Sequence, residues 1–139
     1  MPNPIHDTYL EAEVLGADPV QLVVILYRAA IRAVGAARGH LKAGAIRERS
    51  RHVTKACEIV HELMRSLDHP QGGEISRSLA ELYAYIQSRL IEANIKQIDP
   101  PLAEVENLLS TLLEAWQAAT PAPVPAPSGS AYAPVRCTY

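Results

Sequence analysis

From Val20 to Trp116 the apolar residues fall into four runs whose spacing is helical, separated by short breaks rich in Gly, Pro and Asp. Asp18-Pro19 opens the first run: an N-cap acceptor stands ahead of a proline whose missing N–H costs nothing at the first helical position. Val20, Leu22, Val23, Val24, Leu26, Tyr27, Ala29, Ala30, Ile31, Ala33 and Val34 then cover nearly the whole circumference, the pattern of a helix contacted on several sides. Its polar stripe is Gln21, Arg28 and Arg32. Gly44 is the predicted stop. In the second run Val53, Ala56, Cys57, Val60, Leu63, Met64 and Leu67 make one apolar face.

Asp68-His69-Pro70-Gln71-Gly72-Gly73 is dense in helix breakers and predicts a turn. The third run has its seam at Ile75, Leu79, Leu82, Tyr83, Ile86, Leu90 and Ala93 and ends before Asp99-Pro100-Pro101. Those prolines start the fourth, in which Leu102, Val105, Leu109, Leu112 and Trp116 alternate at three and four. Four helices joined by short connections predict an all-α fold, an antiparallel four-helix bundle over residues 18–118. Residues 1–17 are expected as a loosely held N-terminal arm, since Tyr9, Leu10, Val14 and Leu15 are too few to fold alone yet apolar enough to dock. Residues 119–139, where proline alternates with alanine and serine, are expected as a disordered tail.

Composition narrows the class further. The 139 residues carry 13 basic and 15 acidic side chains, a formal net charge of −2, which argues against a nucleic-acid binder. With seven glycines, two cysteines and no phenylalanine the chain is neither collagen-like nor a disulfide scaffold. The N-terminus has no basic residue before Arg28, so a secretory signal is not expected, and Arg28 and Arg32 inside the longest apolar stretch argue against membrane insertion. The expected location is cytoplasmic, with Cys57 and Cys137 as free thiols.

Candidate chemistry is sparse. Glu58-Ile59-Val60-His61 has the Glu-x-x-His spacing of a di-iron ligand pair, but there is no second copy and Glu58 lies away from the apolar seam. His40, His52 and His61 share no short-range ligand pattern with either cysteine, and no nucleophile elbow or phosphate loop occurs. The chain is therefore read as a non-enzyme with no metal and no cofactor. Basic residues concentrate between Arg28 and Lys55, with Glu48 the only acid among them. Complementarity to Asp99, Glu104, Glu106 and Glu114 across the bundle, or plain solvation, explains that asymmetry as readily as an acidic partner does.

The informative anomaly is apolar residues on faces that should be polar. Ile25 lies within the stripe Gln21, Arg28, Arg32; Leu113 lies with Glu106, Ser110 and Gln117; Ile91, Ile95 and Ile98 recur at four and three, roughly opposite Ile86. Cover from the arm or from the start of the fourth helix accounts for them as well as a groove for a partner helix does. Each Leu or Ile buried by a partner contributes roughly 1.5–3 kcal/mol, so four or five anchors hold an amphipathic segment.

Taken in order, Tyr9, Pro19-Val20-Gln21-Leu22-Val23-Val24-Ile25-Leu26-Tyr27, Ala56-Cys57-Glu58-Ile59-Val60-His61-Glu62-Leu63, Leu82-Tyr83-Ala84-Tyr85, Arg89-Leu90-Ile91-Glu92-Ala93-Asn94, Leu102-Ala103-Glu104-Val105 and Ala115-Trp116 resemble the flagellin export chaperone family, FliS, across about Tyr9 to Trp116. Asp18 stands where that family commonly has Ser or Thr, and the proline-alanine tail extends past its usual end. The resemblance implies a cytoplasmic helical-bundle chaperone that binds the C-terminal segment of flagellin, prevents premature polymerisation and delivers it to the flagellar export gate protein, with the flagellar anti-sigma factor as a further partner. It carries over Tyr9, the Leu22, Ile25, Leu26 and Tyr27 helix, and Ile91 and Asn94 as groove residues, and makes Tyr9, Leu10 and Val14 a self-capping element. Ile95 and Leu113 join the expected groove on periodicity alone. A monomer and a homodimer both fit the pattern. The competing reading is a non-catalytic helical adaptor or regulator that holds an acidic partner through the basic 28–55 surface.

Overall fold

A computed structural model describes residues 19–67 and 69–119, and every element among them is helical. The elements are α1 (Pro19–Lys42), α2 (Ile46–Arg65), α3 (His69–Lys96) and α4 (Pro100–Ala119). The expected arm, with Tyr9, Leu10 and Val14, and the expected tail lie outside the described residues.

The α1–α2 connection is set by Gly44. Its φ of 74° is left-handed, which glycine alone adopts without steric cost, and the Gly44 N–H donates to the Leu41 carbonyl at 3.1 Å while that of Ala45 donates to His40 at 2.9 Å. This pair of reversed bonds is a Schellman motif, and it closes α1 and turns the chain straight into α2. Gln97 ends α3 in the same manner, at φ 56°, with the Ile98 N–H donating to the Ala93 carbonyl at 3.3 Å. The stretch expected to turn between α2 and α3 behaves differently. The chain leaves helix at Ser66 and Leu67, is helical again at His69, and kinks at Gly73, whose φ of 55° and ψ of −126° separate a short first helical segment from the rest of α3. Pro70 is compatible with a first helical turn, so the reversal is made at the non-helical Ser66 and Leu67 and at the kink on Gly73.

Each helix packs on its chain neighbours, and α1 also packs on α4, which closes the ring. The core holds Val23, Leu26, Tyr27, Ala30 and Val34 of α1, Val53, Ala56, Ile59, Val60 and Leu63 of α2, Tyr83, Ile86, Leu90 and Ala93 of α3, and Leu102, Val105 and Leu109 of α4. The nearly continuous apolar surface of α1 is explained by this position: α2 and α4 flank it, and its inner face fills the centre. By length and a mean hydropathy of 1.6 α1 would cross a membrane, but its apolar residues are the core of the bundle.

Polar contacts pin the ends. At the Gly44 end, Arg38 of α1 donates to Asp99 from Nε at 2.8 Å and Nη2 at 3.0 Å, and from Nη1 to Glu106 at 2.5 Å. Arg49 is buried, 4% exposed, and donates from Nε to Asn94 Oδ1 at 3.2 Å and from Nη1 to Gln97 Oε1 at 3.3 Å, binding the start of α2 to the end of α3. Of the acids expected to answer the basic run, Asp99 and Glu106 do so through Arg38. Glu104 pairs within the α3–α4 hairpin, accepting from Arg89 Nε at 2.6 Å and from Tyr85 Oη at 2.7 Å.

Candidate functional site

A helix seam marks a core face, but at the start of α3 that seam runs out of cover. Ile75, Leu79, Leu82, Ile86 and Leu90 lie on one face by their spacing, and Ile86 and Leu90 are fully buried. Ile75 is 67% exposed, and Leu79 and Leu82 are half-buried. The expectation that Ile75 packs into the core is therefore corrected: it points along the core face into open space. Glu74, Ile75, Ser78, Leu79 and Leu82 line a shallow trough of about 410 Å³ there. All five come from one helix, which suits an added chain segment and not an enclosed small molecule.

The rest of this end is also apolar and incompletely covered. The Pro19 end of the bundle gathers the start of α1, the end of α2, the start of α3 and the end of α4. Leu22, Leu112, Leu113 and Trp116 sit half-buried against the core there, and Ile25 is half-buried on α1. Leu26 and Tyr27, expected in the groove, are 1% and 0% exposed and belong to the core beneath it. Tyr27 shares a hydroxyl contact with Tyr83 and accepts the Trp116 indole N–H at 3.2 Å. Burial raises the Tyr27 pKa, which keeps the phenol protonated and able to donate.

The remaining expected site residues fall elsewhere. Ile91 is 51% and Ile95 72% exposed, on the far half of α3, with Ile98 and Ile46 also exposed near the Gly44 end. Nine helical residues separate Leu82 from Ile91, about 14 Å along the axis, with Ile86 and Leu90 buried between them, so the uncovered apolar surface of α3 forms two patches. Asn94 is not open to a partner in the same way: its side chain accepts from Arg49 and from Ser50 Oγ at 3.1 Å and positions α2. Periodicity did not mark Ile75, Leu79 and Leu82 as incompletely covered, because spacing tells which face a residue is on and not what covers that face.

The basic surface divides. Arg38 and Arg49 are engaged internally, Arg51 lies 3.3 Å from Glu48, and Arg28, Arg32, Lys42 and Arg47 are exposed. Glu58 and His61 are both exposed on α2. Cys57 is a free, half-buried thiol whose pKa burial pushes up to about 11, with Glu58 adding to the shift, so it is a poor nucleophile.

Residues 1–123 match the family model for flagellar protein FliS. The chain belongs to the FliS family. It is 37% identical over 113 residues to the flagellar secretion chaperone FliS of Salmonella typhimurium, covering 81% of this chain and 84% of the relative. It is 34% identical to the flagellar secretion chaperone FliSB of Pseudomonas aeruginosa, over 77% of this chain and 85% of the relative. With the FliS protein of Bacillus subtilis it shares 30% identity over 84% of this chain and 86% of the relative. The matched length spans all four helices, so the bundle and both apolar patches lie inside the region shared with FliS chaperones.

Proposed function

We propose that this chain is a cytoplasmic flagellar export chaperone that holds the C-terminal segment of flagellin on its apolar patches, keeps it from polymerising and delivers it to the export gate. The observation that carries the reading is the core-facing row of exposed Ile75 and half-buried Leu79 and Leu82, at the same end of the bundle as half-buried Leu112 and Trp116, in a member of a chaperone family. An exposed core face favours an amphipathic helix, which completes the bundle by laying its own apolar stripe into the trough. A second apolar patch at Ile91 and Ile95, farther along α3 and on its opposite face, suits a segment that wraps around the bundle. Binding of this kind needs no bond-making and is non-catalytic. Tyr9, Leu10 and Val14 would occupy the same apolar surface before flagellin arrives.

Calorimetric titration of the full-length chain with a flagellin C-terminal segment, at low and at high salt, tests this. An apolar trough predicts one-to-one binding, weak salt dependence and a negative heat-capacity change. Steep salt dependence would instead assign the contact to the exposed arginines of α1 and α2, and absence of binding at about 100 µM segment, where a Kd near 1 µM would saturate, would remove the flagellin reading.

A further inference from the structure

The turn that joins α1 to α2 brings a side chain from the end of α1 onto two from the start of α2. His40 lies in the last turn of α1, and Glu48 and His52 lie four residues apart on one face of α2. The Schellman motif at Gly44 folds the helices back on each other immediately after His40, whose carbonyl accepts the Ala45 N–H. The imidazoles of His40 and His52 consequently stack with centroids 5.0 Å apart and planes 30° from parallel. One ligand atom from each of His40, Glu48 and His52 lies within 4.8 Å of the other two, and all three residues are half-buried.

The hydrogen bonding of His52 adds a second observation. Its Nδ1 is 2.8 Å from the Glu48 main-chain oxygen. A carbonyl only accepts, so Nδ1 carries the proton and the neutral ring keeps its lone pair on Nε2. A histidine that donates one ring N–H to a backbone carbonyl and leaves the other nitrogen bare is oriented as metal-ligating histidines are. Two imidazoles and one carboxylate form the three-ligand set that zinc accepts with water in a fourth position. Bond lengths of about 2.0–2.2 Å require the three groups to close by on the order of 1 Å each, within reach of side-chain rotation.

We propose that His40, Glu48 and His52 bind a divalent first-row transition ion, Zn2+ in particular, which clamps the α1–α2 hairpin. The site is separate from the apolar patch at the Pro19 end. Arg51 lies 3.3 Å from Glu48 Oε2 and competes with the ion for that carboxylate. The exposed Lys42 and Arg47 on the same turn oppose a cation, while Arg49 is turned away onto Asn94 and Gln97. Removing the competing guanidinium therefore strengthens the site.

The test is calorimetric titration of the untagged, chelator-dialysed full chain with ZnCl2 at neutral pH, with thermal unfolding as a parallel readout. The expected result is one equivalent bound with a Kd on the order of micromolar. His52→Gln and His40→Gln should each weaken it by on the order of tenfold or more, and Arg51→Gln should tighten it. The melting temperature should rise with zinc in the wild type and not in the double variant His40→Gln/His52→Gln, each protein being checked for helical content without zinc. No binding by the wild-type chain at about 100 µM zinc would overturn the proposal irrespective of how the variants fold. Unchanged affinity in a folded double variant would also overturn it, by placing the ion on other groups such as Cys57 or His61.

Discussion

The phenol oxygens of Tyr27 and Tyr83 lie 2.5 Å apart at the centre of the bundle, joining α1 to α3 across the diagonal that no direct helix packing spans. Both residues are buried, at 0% and 1% exposure, and their rings are tilted by 54° with centroids 6.4 Å apart. The Trp116 indole N–H closes the set from α4 by donating to Tyr27. Three helices are thus tied by polar groups directly beneath the apolar patch at the Pro19 end.

Tyr27→Phe removes the hydroxyl that meets both Tyr83 Oη and the Trp116 indole N–H, whereas Tyr83→Phe breaks the phenol pair and leaves the Trp116 bond to Tyr27 in place. We expect losses of about 1–3 kcal/mol for the first and about 1 kcal/mol for the second. Because the two hydroxyls act as a unit, the double variant should cost less than the sum. Urea denaturation of the four proteins measures this, and strict additivity would show that the hydroxyl contact contributes nothing.

The bundle was legible in the sequence because helical periodicity and breaker residues report directly on backbone preference. Gly44 was readable as a stop because the left-handed turn after α1 favours glycine; Gln97, in the same conformation, carries no such mark. That apolar surface is left uncovered at two separate places on α3 was not readable. Ile75 has the same spacing signature as the buried Ile86, and only the packing of the other helices decides that one is exposed and the other is not. Leu26 and Tyr27 are the opposite case: resemblance marks them as shared positions without telling whether they are shared for binding or for packing, and both are buried. The approach of His40 to His52 depends on the angle at which a three-residue connection returns the chain, which spacing within one helix does not contain.

Asn94 illustrates the same ambiguity and gives a prediction. Its side chain accepts from buried Arg49 and from Ser50. Asn94→Ala should therefore destabilise the chain by about 1.5–3 kcal/mol, because a buried guanidinium loses a hydrogen-bond acceptor. Guanidinium denaturation reads the change. A folded, equally stable variant that had lost only flagellin binding would make Asn94 a contact residue and not a positioning one.

The Arg38 guanidinium, bonded to Asp99 through two nitrogens, holds that carboxyl below its ordinary value of 3.8. A depressed folded pKa stabilises the native state above the unfolded value and ceases to do so as pH falls through the folded one. Stability should therefore decline as pH drops below about 4, and Asp99→Asn should flatten part of that decline at low salt. Both partners are more than a third exposed, so the effect should stay within about 1 kcal/mol and shrink at high salt. Urea midpoints collected from neutral pH down to the acid limb test the sign, which would be wrong if Asp99→Asn steepened the decline.

The central claim is that the exposed core face of α3 receives the flagellin segment. Ile75→Asp addresses it most directly, because a side chain 67% exposed can be changed with a stability cost within about 0.5 kcal/mol. We would measure the affinity of a flagellin C-terminal segment for wild-type and Ile75→Asp chains by calorimetry, with helical content and melting temperature as controls. The account predicts unchanged folding and an affinity lower by roughly tenfold or more, since placing a carboxylate against an apolar helix face forfeits about 1.5–3 kcal/mol of burial. Equal affinity in the two proteins would contradict it and move the binding surface away from the start of α3.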